Sequence, residues 1–447
     1  MFENLLGQPA AAQLIQDIQG RTMAPAMLFS GPPASGKGTA ALELGRVISC
    51  EAEEKAGWNC PCPACERHRR LLHPDLLCLG LRSFSAEISA SASAFLRDSS
   101  TPSVRALFMR SCRKLLARFN PVLTEDDQRA SRVSSLVSSL EEDLDEMDFL
   151  FPDQAPEGQT GEEKPASPAL EALTKLVQGM TGTAYKLEAE GLGETIPIGQ
   201  LRRAAYWSRL APVGPGKLLL IENADRMQDE ARNSLLKILE EPPPRLTLVL
   251  ASSRPGSLLP TILSRIRPYR FSARDPAIEG DVVRRVFRDK LEEGQNISAY
   301  LESFLPVSGE MLYALAAFFA ASAAARALGL ARRQGLPVPE EAIKLGKLSS
   351  PIAEAAQLGR PQEQGSQVCA LILQKAGSFE IRSLFSRFLS ALLDQVSQSQ
   401  VPPGLAFSDL WREHIAWADT AVGIYRLRSS QVLEKLFTDL SRGMAQV

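Results

Sequence analysis

The run Gly31-Pro32-Pro33-Ala34-Ser35-Gly36-Lys37-Gly38-Thr39 is the stretch of this sequence best suited to chemistry. It follows the apolar run Ala26-Met27-Leu28-Phe29 and opens a helical period, the arrangement of a buried strand feeding a helix. Glycines let successive backbone N–H groups turn inward around phosphate oxygens, and Lys37 is placed to reach the outer phosphates of a nucleotide such as ATP. The usual loop of this kind has Ser or Thr directly after the lysine, where its hydroxyl ligates Mg²⁺; here Gly38 stands there and Thr39 comes one residue late. Phosphate binding survives that change, direct metal ligation is weakened, and a bare glycine turn is the alternative. A second apolar run, Leu218-Leu219-Leu220-Ile221, ends in Glu222-Asn223-Ala224-Asp225. An acid at a strand end suits Mg²⁺, a role open to Glu222. Asn223 is a neutral amide and cannot take a proton from water. A strand that merely ends in polar residues is the plainer alternative.

Four of the seven cysteines cluster as Cys50-x₉-Cys60-x-Cys62-x₂-Cys65. Short loops that gather four soft donors suit a tetrahedral structural zinc, with His68 or His73 as substitute donors and unligated reduced thiols as the alternative. An odd, clustered count does not suit a secreted disulfide framework. Cys78, Cys112 and Cys369 read as core residues.

These groups need a scaffold. The runs at 26–29, 218–221 and 246–250 alternate with helical periods, which predicts an α/β fold around a parallel sheet. Gln228 to Glu241 is expected to be a helix stopped by Pro242-Pro243-Pro244. Residues 81–193 carry no strand pattern and read as a helical insertion. Its first helix opens at Thr101-Pro102, with Val104, Phe108, Cys112 and Leu115 on one face and Arg105, Arg110, Arg113, Lys114 and Arg118 around the rest. A second is expected from near Thr124, ending in an acidic block from Glu141 to Asp148, and Phe151 to Pro168 reads as a linker. The two helices are expected to pair, apolar face to apolar face; a basic helix bound to DNA phosphates or to a partner is the alternative. After about residue 272 only helical patterns remain, with a boundary expected around Ser350 to Gly365.

The 447 residues suggest about three domains. Lys plus Arg is 50 against 52 Asp plus Glu, so no chain-wide basic balance grips nucleic acid. Aromatic residues at 6% argue against a base-stacking platform. No uninterrupted apolar run of membrane length is expected, and Met1-Phe2-Glu3-Asn4 lacks the pattern of a signal peptide. The expected location is cytoplasmic.

Several longer strings carry a family resemblance: Phe2-Glu3-Asn4-Leu5-Leu6-Gly7-Gln8, Leu28-Phe29-Ser30-Gly31-Pro32, Ile196-Pro197-Ile198 and Leu220-Ile221-Glu222-Asn223-Ala224-Asp225-Arg226-Met227. Further strings are Asn233-Ser234-Leu235-Leu236-Lys237-Ile238-Leu239-Glu240-Glu241-Pro242-Pro243 and Leu258-Leu259-Pro260-Thr261-Ile262-Leu263-Ser264-Arg265. With these the chain resembles the gamma/tau and delta-prime family of bacterial DNA polymerase III clamp-loader subunits, in the AAA+ class. The resemblance covers 1–80 and 193–272 and leaves the 81–193 insert without a counterpart. It implies an AAA+ P-loop domain over 1–272, with a zinc module at about 50–65, then a helical lid over 273–349 and a helical collar for oligomerisation over 350–447.

It also implies zinc on Cys50, Cys60, Cys62 and Cys65, although one residue rather than two separates Cys60 from Cys62. Arg265 is expected to act as an arginine finger on a neighbour's ATP, and Ser253 stands at the sensor-1 position. The sensor-2 arginine is replaced by Leu312 in Gly309-Glu310-Met311-Leu312. The implied function is a delta-prime-like subunit with little or no ATPase of its own and weak ATP and Mg²⁺ binding. Its partners would be gamma/tau, delta, the sliding clamp and primed DNA. A gamma/tau-like ATPase motor and a P-loop nucleotide kinase are the alternatives.

Overall fold

In the computed structural model, the described residues are 1–53, 57–125, 127–151, 170–193, 195–376, 382–398, 405–423, 425 and 427–446. Most of the expected linker from Phe151 to Pro168 lies outside them. The chain divides into two compact units, Met1–Leu301 and Glu302–Val447.

The first unit is built on five strands: β1 (Ala26–Ser30), β2 (Leu76–Gly80), β3 (Lys217–Glu222), β4 (Leu246–Ser252) and β5 (Arg267–Arg270). All pairings are parallel, in the order β2-β3-β4-β1-β5. The interior strands are apolar on both faces because helices cover both sides. Alternate residues divide between two cores. Leu28, Leu219, Ile221, Leu248 and Leu250 face one side, packed with Leu201, Trp207, Leu235 and Ile238. Met27, Phe29, Leu218, Leu220 and Val249 face the other, packed with Leu14, Ala40, Ala41 and Leu44. The parallel sheet with helical layers on both faces is the α/β architecture expected.

The helices of this unit are α1 (Pro9–Gln19), α2 (Lys37–Ser49), α3 (Pro63–Arg69), α4 (Ser85–Arg97), α5 (Pro102–Leu116), α6 (Pro121–Thr124), α7 (Gln128–Arg132), α8 (Ser134–Leu150), α9 (Leu170–Gly191), α10 (Ile198–Arg209), α11 (Asp229–Glu240), α12 (Pro260–Leu263) and α13 (Pro276–Val286). α1 and α2 cover the Met27 face, and α10 and α11 cover the Leu28 face.

The insertion differs from expectation in two ways. The helix expected from Thr124 starts at Ser134, because Asn120 and Asp127 each cap a short separate turn and Val133 interrupts the run. The first helix also does not form a simple hairpin with the second. α5 packs chiefly on α4, α8 packs on α9, and α4 packs on α9, so four helices share the burial. Nor is the insertion separate from the main core, since Leu123 of α6 is 2% exposed inside the cluster with Leu201 and Trp207. Deleting residues 95–185 with a short bridge is therefore expected to lower the melting temperature. Losing one such leucine costs about 2–5 kcal/mol, which at roughly 2–4 °C per kcal/mol gives a fall of about 4 °C or more. An unchanged melting curve would show the insertion to be an independent appendage.

The second unit centres on α15 (Gly309–Gln334), which follows α14 (Ile297–Ser303). Ser308 caps α15 by accepting from Met311 N, and Gly335, at φ 67°, closes it. α15 packs against α16 (Glu340–Ala355) and the helices Gly365–Ala376, Arg382–Gln398 and Ser429–Gln446. Among the described residues it is the one helix long and apolar enough to cross a membrane, yet 72% of its apolar window is buried inside the protein. The break between compact units falls at 301/302, inside the expected lid, and the expected start of the collar at 350 falls inside α16. Pro351 lies within that helix, where burial of Leu345, Ser349 and Ala353 overrides its breaking tendency.

Candidate functional site

The C-terminal ends of β1, β3 and β4 converge on one edge of the sheet, where open α/β sheets take their ligands. The loop Gly31 to Gly36 leaves β1 there and delivers Lys37 to the start of α2. Gly36 sits at φ 94°, a conformation that only glycine takes readily. Arg274 braces the loop from outside, donating Nε to Leu6 O at 2.9 Å and Nη1 to Ala34 O at 2.7 Å. Ser35 is buried, whereas Pro33, Ala34 and Thr39 are exposed, with Pro32 and Gly38 between these extremes. Lys37 is folded onto its own loop, donating to Gly31 O at 2.7 Å and Pro32 O at 2.6 Å, with Ser35 Oγ and Ser253 Oγ at 3.4 Å. Burial lowers its pKa to about 8 against the opposing pull of Glu222 and Asp225.

Glu222 reaches the same edge but is not free. Its carboxylate accepts from Arg118 Nη2, and Arg82 Nε stands 3.8 Å away. Burial raises its pKa, yet Arg82, Arg118 and Lys114 outweigh burial and hold it below the usual carboxylate range. Arg82 and Lys114 in turn share Glu87. Opposed by burial, those two cations still bring Glu87 down to about 2. Asn223, at φ 48°, turns its amide away to donate to Leu81 O. Asp225 accepts from Ser252 Oγ at 2.5 Å.

Mg²⁺ fits this arrangement poorly. Position 38 has no hydroxyl, and a Cβ built there would come 2.5 Å from Glu222 Oε1. A Ser or Thr could enter only if Glu222 moved, and Arg118 and Arg82 hold it.

Zinc fits well. Cys50, Cys60, Cys62 and Cys65 bring four sulfurs within 4.8 Å of one another. The Cys50–Cys60 and Cys50–Cys62 separations are 3.8 and 4.0 Å. Tetrahedral Zn–S bonds of about 2.3 Å place sulfurs about 3.8 Å apart. The single residue between Cys60 and Cys62 is accommodated because Cys62 caps α3, with Pro63 at its first position, and its Sγ accepts from Cys65 N at 3.5 Å. Behind the cluster, Arg46 donates Nη1 to Cys65 Sγ at 3.0 Å. Arg46 is also doubly bonded to Glu43, at 2.9 and 2.7 Å, with both side chains almost wholly buried. Burial disfavours the Cys62 thiolate, but N–H groups of Cys65 and Glu51 bring the thiol down to about 6; burial pushes Cys65 up. His68 and His73 lie outside the cluster of four sulfurs, stacked on each other with centroids 4.2 Å apart.

Arg265 stands apart from these groups, exposed just after α12. It donates to Thr261 O at 2.9 Å and lies 3.3 Å from Glu240.

The five cations of the basic helix region turn inward rather than presenting a charged face. Arg105 lies over the Phe151 ring, and Arg110 donates to the carbonyls of His68 and Arg69. Arg113 pairs with Asp148, Lys114 with Glu87 and Arg118 with Glu222. The alternative of a DNA-binding helix loses its free charges here. Sequence reasoning did not place Arg82, Glu87, Lys114 and Arg118 at the loop. No spacing signal linked them to Glu222, which is over a hundred residues away from Arg118.

A family model described as DNA polymerase III, delta subunit, matches residues 7–104 and 173–275. The stretch it passes over, 105–172, is narrower than the 81–193 expected. The delta-prime subunit of Pseudomonas aeruginosa is 38% identical over 139 residues, covering 31% of this chain and 40% of that protein. That of Bacillus subtilis is 43% identical over 70 residues, covering 15% and 21%. The gamma/tau subunit of Mycobacterium bovis is 31% identical over 102 residues, covering 23% and 17%. The chain thus matches well under half the length of each of these relatives. A gamma subunit-related protein of Thermotoga maritima of known structure covers 56% of this chain and 81% of its own, at 18% identity and a TM-score of 0.29, too low to argue from. These sequence matches support a delta-prime/gamma-like member of the DNA polymerase III clamp-loader family.

Proposed function

We propose that the chain is a delta-prime-like subunit of a clamp loader, assembled in a ring that places the sliding clamp on primed DNA in the cytoplasm. In this reading it contacts gamma/tau and delta subunits and presents Arg265 to a neighbour's ATP. Zinc on Cys50, Cys60, Cys62 and Cys65 serves structure alone, since four thiolates leave no open position for a substrate. The three-part division into AAA+ domain, lid and collar belongs to the same proposal.

The observation that carries the passive reading over the motor is the capture of Glu222. A motor needs that carboxylate for metal and a base beside it for water. Here Glu222 is paired with Arg118, and Asn223 is a neutral amide turned toward Leu81 O. The isolated chain is therefore expected to hydrolyse ATP negligibly, since lack of a positioned base alone costs roughly 10²–10⁴-fold. Steady-state phosphate release from the purified chain, with Lys37→Ala as control, tests this. Robust turnover abolished in Lys37→Ala would favour the gamma/tau-like motor. Copurification with gamma/tau and delta subunits tests the assembly half of the reading.

A further inference from the structure

We propose that the insertion supplies this P-loop with its own cation. The Arg118 guanidinium takes the seat beside Glu222 that a divalent metal would take, and the ligand this loop accepts is a metal-free nucleoside di- or triphosphate.

Arg118 follows α5 directly, its side chain is 4% exposed, and it pairs with Glu222. Its Nε and Nη1 are buried without a hydrogen-bond partner. It lines the same small cavity as Gly38 and Thr39, together with Arg82, Lys114 and Glu222. A buried guanidinium with two bare N–H edges is costly unless an acceptor arrives, and a phosphate oxygen is the acceptor that a P-loop gathers. Lys37 stands across the loop with Asp225 near it, and Arg82 faces Glu188 as well as Glu87 and Glu222, so the charges around the loop are matched. Arg82 and Arg118 already hold the Glu222 carboxylate, and a divalent cation would have to displace them to reach it. Lys114 and Arg118 both fall in 105–172, the stretch passed over by the family model, so the substitution of guanidinium for metal comes with the insertion.

The inference does not rest on assembly into a loader, so the full-length isolated chain is sufficient to test it. The probe is a fluorescent methylanthraniloyl derivative of ADP, titrated in excess EDTA and again in excess Mg²⁺. The expected result is binding at least as tight in EDTA as in Mg²⁺. Arg118→Gln should weaken binding in EDTA by about tenfold, the worth of one charge-assisted contact, and added Mg²⁺ should then tighten it. Arg118→Lys should keep part of the metal-free affinity. Thermal melts establish that each variant is folded, and Arg82→Gln, which leaves the Arg118 pair in place, is expected to show a smaller loss. The wild-type comparison needs no variant at all. The proposal is overturned by wild-type binding that requires Mg²⁺, by no binding in either buffer, or by a folded Arg118→Gln chain that binds in EDTA as the wild type does.

Discussion

Under the proposed function, replacing Arg265 with alanine is expected to slow ATP hydrolysis at the neighbouring subunit's site by roughly 10³–10⁵-fold, while leaving this subunit folded. The size of the effect comes from charge that develops on the transferred phosphoryl group, which a guanidinium fork meets with two donors at once. The local structure permits the motion this requires. Arg265 is exposed beside α12, and its pairing with Glu240 at 3.3 Å is a surface pair. Such pairs contribute about 0–1 kcal/mol, so the side chain can leave Glu240 at little cost. For the same reason the alanine variant should melt within about 0.5 kcal/mol of the wild type. Arg265→Lys should recover little of the rate, because an ammonium lacks the planar fork. The measurement is DNA-stimulated hydrolysis by the reconstituted ring, read per site where a multi-site ring dilutes the loss. An unchanged rate would remove Arg265 from this role.

The second large effect is expected at the thiol cluster. Zinc should be present at one equivalent by elemental analysis, and Cys65→Ser should abolish it and unfold the knuckle. Structural zinc contributes an apparent 10–16 kcal/mol or so in isolated finger peptides. If only about 3 kcal/mol of that is coupled to the surrounding unit, the melting temperature falls by roughly 6–12 °C. Cys65 is the informative position because it is fully buried and accepts from Arg46, itself tied to Glu43, which accepts from Phe2 N at 3.3 Å. Loss of that sulfur removes one acceptor from the buried Arg46–Glu43 pair and disturbs the N-terminal segment together with the knuckle. Protein purified without chelators that holds no zinc, and melts unchanged as Cys65→Ser, would mean that the four thiols pack without metal.

How far this fold and its candidate site can be read from sequence follows from the range of the interactions involved. β1, β3 and β4 are legible because interior parallel strands are apolar on both faces, which leaves an unbroken run. β5 is not, since Arg267-Pro268-Tyr269-Arg270 pairs on one side only and buries little beyond Tyr269. β2 carries a readable run, Leu76-Leu77-Cys78-Leu79, which its position between the thiol cluster and the insertion obscures. The P-loop, Glu222 and the four cysteines are legible because each acts through a local pattern. The capture of Glu222 is not, because it joins residues brought together only when α5 packs on α4 and the turn Ala117–Phe119 after α5 packs on β2. The same holds for the basic helix: its cations look like a surface for phosphate until Glu87, Asp148 and Glu222 arrive from elsewhere in the chain.

The alanines of α15 have a consequence for how this protein can change over generations. Ala316, Ala317, Ala320, Ala321, Ala323, Ala324 and Ala327 are at most 1% exposed, surrounded by four packed helices. A methyl group leaves neighbouring backbones close together, so each added methylene has nowhere to go, and overpacking costs about 1–3 kcal/mol. Loss to glycine is scarcely gentler, at about 1 kcal/mol per residue in a helix interior. Drift at these positions is thus closed in both directions. A deep mutational scan read out by abundance should find this stripe among the least permissive parts of the second unit, while the exposed Arg332, Arg333 and Gln334 of the same helix tolerate nearly any residue.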